Sequence, residues 1–344
     1  MSKKYNLKGG SYAKTILIKE KKNFFVRKEV PNSIDKLRGE TVLKGQFDWL
    51  NYAYNLNLNV PKVFQFKKNS KKTFYDMEYI KNSKLFSSYR NKGIEYEEIF
   101  SKILKNIYKF HLTNIEKKRQ NKQLLKELIN KKVFPSIKFL EKNKNFKKIL
   151  FKKKIKINNK FYENSKNLLN IFLKPKNNKL KNLLKNFDSQ YKTIIHGDLT
   201  FENILVKNNN FFYIDPLGSF MDPKFDGDFL KKASIYFDLA KLCQSILTNF
   251  EVWKNYKNFN FKLEKNKSLD INFEISKFLG KTNDKKFLLI VNRYKFLNKN
   301  IKDLLLIHLS IIMLRIIRYK VKENFNAAVM CYLMGTYWLN QVKI

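Results

Sequence analysis

The sequence predicts an α+β fold of two lobes: a small β-rich N-terminal lobe over residues 1–82 and a larger, mainly helical C-terminal lobe over 83–344. Three observations lead there. Extended, hairpin-like segments crowd into the first eighty residues, helical apolar spacing dominates everything after them, and a single short strand pair interrupts the helical part around His196–Asp215. In the first lobe, Ser11–Ile18 and Phe24–Val30 read as strands joined by the charged turn Lys19–Asn23, with Gly9 and Gly10 just upstream. From Ser33 to Asn55 the residues Leu37, Val42, Phe47, Leu50 and Tyr54 fall near helical spacing, and Ser33 is a candidate N-cap. Pro61 opens the extended run Lys62–Phe66, a second runs from Thr73 to Ile80, and Lys81–Lys84 is the connector between the lobes. The tract from Glu116 to Lys192 is rich in Lys and Asn. Its amphipathic signals are weaker (Leu124, Leu125, Leu128, Ile129) and it is broken by Pro135 and Pro175, so helices with loose loops are expected there. No internal repeat is evident.

The chain has 344 residues, 44% of them hydrophobic, enough to bury a large core and to exclude a disordered protein. Its formal net charge of +42 is strong enough to attract phosphates, nucleic acid or an anionic membrane through the long-range field alone. The Lys excess travels with abundant Asn, Ile, Phe and Tyr, the set that accumulates when a genome drifts toward A and T. Drift scatters Lys over a surface without selecting for a polyanion. Lys is spread along the chain, densest at Lys147–Lys156, so nucleic acid is not expected as a partner, and weak association with anionic surfaces is the most the charge implies. Cys243 and Cys331 lie far apart among apolar residues, which suggests buried free thiols in a reducing cytoplasm. No apolar stretch follows the charged Met1–Asn6, so export is not expected. The longest apolar run, Leu304–Ile317, is interrupted by His308 and Arg315 and reads as a buried core helix.

The chemistry concentrates in Ile194–Pro216, I-I-H-G-D-L-T-F-E-N-I-L-V-K-N-N-N-F-F-Y-I-D-P. An apolar lead-in runs into a polar loop, His196–Asn203. A strand follows at Ile204–Val206, then a turn at Asn208–Asn210 and a strand, Phe211–Ile214, that ends on Asp215. Phosphoryl transfer needs hard oxygen ligands to hold magnesium on the phosphates and a carboxylate facing the attacking hydroxyl. Asp198, Asn203 and Asp215 supply that set at one edge of a small hairpin.

These residues resemble the signature of the aminoglycoside phosphotransferase and choline kinase family: an H-G-D loop, an Asn on the same loop and an Asp on the next strand. The spacing from Asp198 to Asn203 also matches H-R-D-x-x-x-x-N with Gly197 in place of the Arg, which favours small-molecule kinases over protein kinases. The resemblance implies a protein-kinase-like fold and a kinase that uses ATP and Mg2+ to phosphorylate a hydroxyl of a small molecule. Asp198 takes the catalytic-base position, His196 braces the loop, and Asn203 and Asp215 hold magnesium. In the first lobe, Lys28 in F-F-V-R-K-E-V matches the lysine that reaches the phosphates, and Glu40 in L-R-G-E is placed to pair with it; Arg27 and Lys44 are alternative cations. Gly9, Gly10 and Ser11 form a turn whose amides can approach phosphate. Tyr75–Ile80 resembles the inter-lobe hinge, with backbone groups near Glu78 and Ile80 bonding adenine and Met77 lining its pocket.

Asp238 in D-L-A-K-L resembles an Asp-led helix that supports the catalytic loop. Asp222, Asp226 and Asp228 form an acidic patch that reads first as a solvated loop; His111 and His308 read as packed histidines. Arg315 and Arg318, one helical turn apart, either reach a substrate anion or snorkel from a buried helix. The acceptor stays open, although a similar H-G-D-L-T-F-E-N-I-L pattern recurs in bacterial phosphotransferases thought to modify surface sugars. Rival readings are a basic nucleic-acid or membrane binder, a pseudokinase scaffold, and a protein kinase; the last is disfavoured by the lack of an A-P-E sequence between Asp215 and Asp238.

Overall fold

The structure is a computed structural model that describes residues 3–7, 13–90, 92–119, 123–143, 147, 152–222, 224–256 and 272–343. The chain forms two compact units, Met1–Ile115 with Thr193–Ala233, and Glu116–Lys192 with Ser234–Ile344. Every residue singled out above for catalysis, nucleotide or metal belongs to the first.

In the first unit a five-stranded antiparallel sheet is built from β1 (Lys3–Leu7), β2 (Lys14–Glu20), β3 (Asn23–Pro31), β4 (Val63–Lys68) and β5 (Lys72–Glu78), in the order β1-β2-β3-β5-β4. The strand β1 went unread in the sequence because all five of its residues are exposed and leave no apolar alternation. In β3 the period of two puts Val26, Lys28 and Val30 on the buried face, with Arg27 and Glu29 on the other. That buried face meets α1 (Asn32–Asn55), which presents Val42, Leu43, Gln46, Trp49, Leu50 and Ala53 as one stripe at helical spacing. Phe47 adds ring contacts to Phe66 and Tyr75 of the sheet, at centroid distances of 5.9 and 6.3 Å. The helix starts after Pro31 rather than on a Ser33 cap, and no side chain caps it.

The connector is itself a strand: β6 (Lys84–Leu85) pairs antiparallel with Ile204–Lys207, which pairs in turn with Asn210–Tyr213. Asn208 and Asn209 close this hairpin with φ of +48° and +61°. Such a turn suits the right-handed twist of the strands, and Asn tolerates it better than most residues. The helix α2 (Ile94–Thr113) buries Tyr96, Ile99, Phe100, Ile103, Leu104, Ile107 and Phe110 along one face.

The second unit is mainly helical. Helix Ile301–Glu323 packs against Phe325–Leu339, Ile235–Thr248 and Phe134–Glu141, and is buried from Leu304 to Arg315 without a break, as the apolar run predicted. No helix among the described residues is long and apolar enough to cross a membrane. The tract expected to carry loose loops contains a hairpin instead, Lys154–Ile157 with Lys160–Glu163, turning on Asn158 and Asn159, both at positive φ. Only Ile155 and Ile157 mark its buried side, too short a signal to stand out among the lysines. Cys243 and Cys331 are buried free thiols, and burial pushes both well above the ordinary thiol range.

His308 is fully packed, as expected of it. Its ring stacks on Phe187 at 4.1 Å and on Tyr236 at 5.2 Å, and Nδ1 donates to Leu304 O at 2.7 Å. Burial lowers its pKa to about 3, with the Leu304 bond acting in the opposite direction. Between that value and the unfolded value near 6.5 the unfolded chain binds a proton that the folded chain refuses, so stability falls as pH drops through this window. Denaturant unfolding of the wild type should therefore show a loss of stability, on the order of a kcal/mol per pH unit, between pH 6 and 4 relative to His308→Gln. Parallel pH profiles for the two proteins would contradict the neutral, buried histidine.

Candidate functional site

The loop from His196 to Asn203 is held from behind by a buried imidazole. His196 is fully buried, and Nε2–H donates to Ile214 O at 2.9 Å while Nδ1 accepts from Asp198 N–H at 3.3 Å. Those two bonds fix the neutral Nε2–H tautomer. The ring also sits edge-on to Trp49 at 5.1 Å, and the Trp49 indole N–H donates to Ile195 O at 2.9 Å, so α1 carries the floor of the loop. The His196 carbonyl accepts from both Leu217 N, at 2.6 Å, and Gly218 N, at 2.9 Å. The loop and the segment beyond Asp215 are thereby one stitched unit.

Glycine is required at the crossing. Gly197 has φ +79°, and a Cβ there would stand 2.1 Å from Gly218 O, a backbone atom. Asp215 itself lies at φ +59°, a left-handed conformation that costs of order 1–3 kcal/mol for a non-glycine residue and persists only where the surroundings impose it. Here they do: Ile214 N bonds Asn203 O at 3.0 Å on one side, and the His196 carbonyl grips residues 217 and 218 on the other.

Asn203 closes a short turn, Phe201–Asn203, whose first residue is anchored among aromatics. Phe201 is fully buried, 4.7 Å edge-on from Phe86 and 6.0 Å from Tyr96. With its turn so anchored, Asn203 Nδ2 donates to both Asp198 O, at 2.8 Å, and Asp198 Oδ2, at 2.9 Å. The amide nitrogen is thus committed to orienting the half-buried Asp198 carboxylate, and Asn203 Oδ1 is the atom left to act as an oxygen ligand.

Lys28 reaches this cluster from β3. Its Nζ lies 2.5 Å from Asp215 Oδ1 and 3.4 Å from Gln46 Oε1, and the residue is 4% exposed. Asp215 Oδ2 takes no hydrogen bond among the described residues. An Asp oxygen and an Asn oxygen on adjoining strand and turn are donors of the hard type that magnesium takes.

The expected pairing of Lys28 with Glu40 is not what the structure forms. Glu40 Oε2 accepts from Lys68 Nζ at 2.8 Å, and its other oxygen is buried without a partner. Glu40 precedes Gln46 by six residues, about 9 Å along a helix axis, so the two cannot serve the same amine. Gln46 was missed in the sequence; its signal is a lone polar side chain within the apolar stripe of α1. The alternative cations are engaged elsewhere. Arg27, on the opposite face of β3, makes two 2.7 Å bonds to Asp76, whose partnership pushes the guanidinium pKa further up, and Lys44 pairs with Asp48 on the helix surface.

In the hinge stretch Met77 and Ile80 are buried and Glu78 is exposed. Glu78 N donates to Lys62 O at 2.8 Å within the sheet, and its side chain accepts from Lys62 N at 3.3 Å. Past the strand end, the Ile80 N–H enters no hydrogen bond among the described residues. Gly9, Gly10 and Ser11 lie outside the described residues. The acidic patch is local turn structure: Asp222 accepts from Lys224 N and Asp228 from Leu230 N, each at 2.8 Å, while exposed Asp226 pairs with Lys231, whose hydrogen bond lowers the Asp226 pKa. Asp238 and His111 are buried, and Arg318 lies over Tyr319 at 4.9 Å.

The sheet-rich N-terminal region, the helical C-terminal region and the stitched His-Gly-Asp loop are those of a kinase-like phosphotransferase fold. The chain belongs to the ecdysteroid kinase-like family, whose model matches residues 48–246, more than half of its length. Among solved structures it is similar to a candidate fructosamine-3-kinase from Haemophilus somnus 129PT (TM-score 0.53, 14% identity, covering 98% of this chain and 91% of that one). It is similar to the same degree to aminoglycoside phosphotransferase APH(4)-Ia (TM-score 0.53, 9% identity, 98% and 94% covered). A thermostable mutant of the latter, solved as a ternary complex with AMP-PNP and hygromycin B, gives a TM-score of 0.52 at 8% identity, with 98% and 93% covered. No curated protein matches the sequence. At these identities the structural likeness carries the fold, and the resemblance read from the His-Gly-Asp loop holds at that level.

Gly197→Ala is expected to cost more than about 2 kcal/mol, because it adds both a forbidden φ and a backbone clash. Thermal unfolding measures this; a variant as stable as the wild type would mean that the loop does not cross Gly218 as described.

Proposed function

We propose that this chain is a small-molecule kinase: it binds ATP with magnesium and transfers the terminal phosphate to a hydroxyl. The observation that carries this reading is the meeting of Lys28 Nζ and Asp215 Oδ1 at 2.5 Å, across 187 positions of sequence, beside a loop that presents Asp198. A cation for phosphates, an oxygen donor pair for a metal and a carboxylate for a hydroxyl are the three parts that phosphoryl transfer requires. The ATP reading draws further support from the Ile80 amide, free to meet adenine, and from the AMP-PNP held by the neighbour of the same fold. The nucleotide role falls to residues 1–82, with Met77, Glu78 and Ile80 at the adenine end and Gly9, Gly10 and Ser11 as candidates to meet the phosphates. The catalytic loop, metal ligands and acceptor contacts fall to 83–344.

In the reaction, the acceptor O–H gives its proton to Asp198 as its oxygen bonds the γ-phosphorus, and the bond from phosphorus to the bridging oxygen of ADP breaks. Asn203 keeps the Asp198 carboxylate turned toward the acceptor, and His196, buried and neutral, holds the loop that carries it. Asn203 and Asp215 would hold magnesium, which would offset the phosphate charge there. Lys28 orients the phosphates from the β3 side. The acceptor class we favour is a sugar, amino-alcohol or aminoglycoside-like molecule, with surface polysaccharide synthesis as a setting and the cytoplasm as the compartment. A nucleotide-consumption screen over such alcohols, with product masses read for one added phosphate, tests this.

On an acceptor so identified, Asp198→Asn should lower kcat by about a hundred- to ten-thousand-fold, the range of general-base assistance, with ATP affinity changed only modestly. Near-normal turnover would remove Asp198 from the reaction. Lys28→Ala should weaken ATP binding, whereas Glu40→Gln, which breaks only a partly exposed pair to Lys68, should leave ATP affinity within about two-fold. Equal losses in both would restore Glu40 to the site.

A further inference from the structure

We propose that Gln46 is the positioning residue that aims the Lys28 ammonium at the nucleotide phosphates, and that an uncharged oxygen does here what a helix carboxylate was expected to do. The inference rests on the ATP reading above. Gln46 is 5% exposed on the sheet-facing stripe of α1. Two donors converge on its Oε1: Lys28 Nζ at 3.4 Å and the Tyr75 hydroxyl at 3.3 Å. An ammonium offers only donors, and Tyr75 has one proton to give, so the amide must present its oxygen to both. Tyr75 is fully buried, and desolvation, with a smaller contribution from Asp215, holds its pKa well above the ordinary phenol value, so it stays a donor. The amide oxygen is therefore pinned from the β5 side before Lys28 meets it.

The absence of charge on Gln46 has an electrostatic consequence. Lys28 and Asp215 already cancel, so the group of Lys28, Asp215, Gln46 and Tyr75 is neutral overall. A carboxylate at position 46 would add a negative charge where a polyphosphate must arrive. Gln46 gives Lys28 a second fixed contact without that repulsion, and leaves the ammonium anchored when Asp215 turns to other partners. A side chain four methylenes long, tethered at one point only, would sample many rotamers.

A purely structural role for Gln46 would touch every ligand of the site alike; aiming Lys28 touches only those with phosphates. Binding of Mg·ATP and of adenosine, measured by calorimetry on the full chain, separates the two. Gln46→Ala should weaken ATP by about ten-fold, the worth of one hydrogen bond to a charged group, and leave adenosine unchanged. Gln46→Glu, which keeps an acceptor oxygen of the same reach but adds a negative charge beside the phosphates, should stay below the wild-type ATP affinity and leave adenosine unchanged. Should Gln46→Ala fail to fold, the near-isosteric Gln46→Met carries the same expectation. Unchanged ATP affinity in these variants, or equal loss of ATP and adenosine, overturns the role of Gln46 while leaving the kinase reading in place. A wild-type chain that binds neither ligand overturns both.

Discussion

The ion pair between Lys28 and Asp215 is the contact on which the rest of the first unit depends. Lys28 is almost wholly buried, and a buried ammonium without a partner is so unfavourable that it would either lose its proton or open the fold. Asp215 is the partner, and it comes from the far end of a hairpin 187 positions away in sequence. Satisfying this one charge therefore fixes β3, with α1 packed across it, against the hairpin that ends on Asp215. Such pairs add little net stability relative to an apolar pair, but separating one of them is costly, so they specify an arrangement more than they strengthen it.

Around that pair the backbone is held in conformations it would not choose. Gly197 and Gly218 take left-handed angles with backbone atoms too close for any side chain, and Asp215 takes one despite carrying a side chain. The doubly accepting His196 carbonyl, the His196 ring between Trp49 and Ile214, and Asn203 across both strands supply the bonds that make this the preferred state. Strain is thus gathered into a few residues, while the layers beneath (Phe86, Tyr96, Phe100, Phe201) are ordinary aromatic packing. Rigid support of this kind keeps the carboxylates in place without further ordering when ligands bind.

The +42 charge sits lightly on this arrangement. Many described lysines are exposed, and several pair with carboxylates, as Lys44 with Asp48 and Lys231 with Asp226. Surface pairs of this sort contribute little stability. Their summed field nevertheless favours the approach of an anionic ligand, which is compatible with the proposed chemistry.

The sequence by itself determined the elements whose signal is local. The run from Phe24 to Val30 gave the strand that carries Lys28, the spacing from Leu37 to Tyr54 gave the helix, and the run from Ile194 to Pro216 gave hairpin, turn and polar loop nearly residue for residue. Exposed β1 and the Lys-rich hairpin at 154–163 escaped because neither carries enough apolar contrast for its period to be read. The sequence also could not say which helix residue meets Lys28. Glu40 has the right chemistry and Gln46 the right position, and charge is visible in a sequence whereas helix phase against a particular strand is not. Only tertiary packing decides that phase: the apolar stripe of α1 must lie on the sheet, and burying Val42, Leu43, Trp49 and Leu50 carries Gln46 inward to Lys28 and Tyr75 while leaving Glu40 beside Lys68.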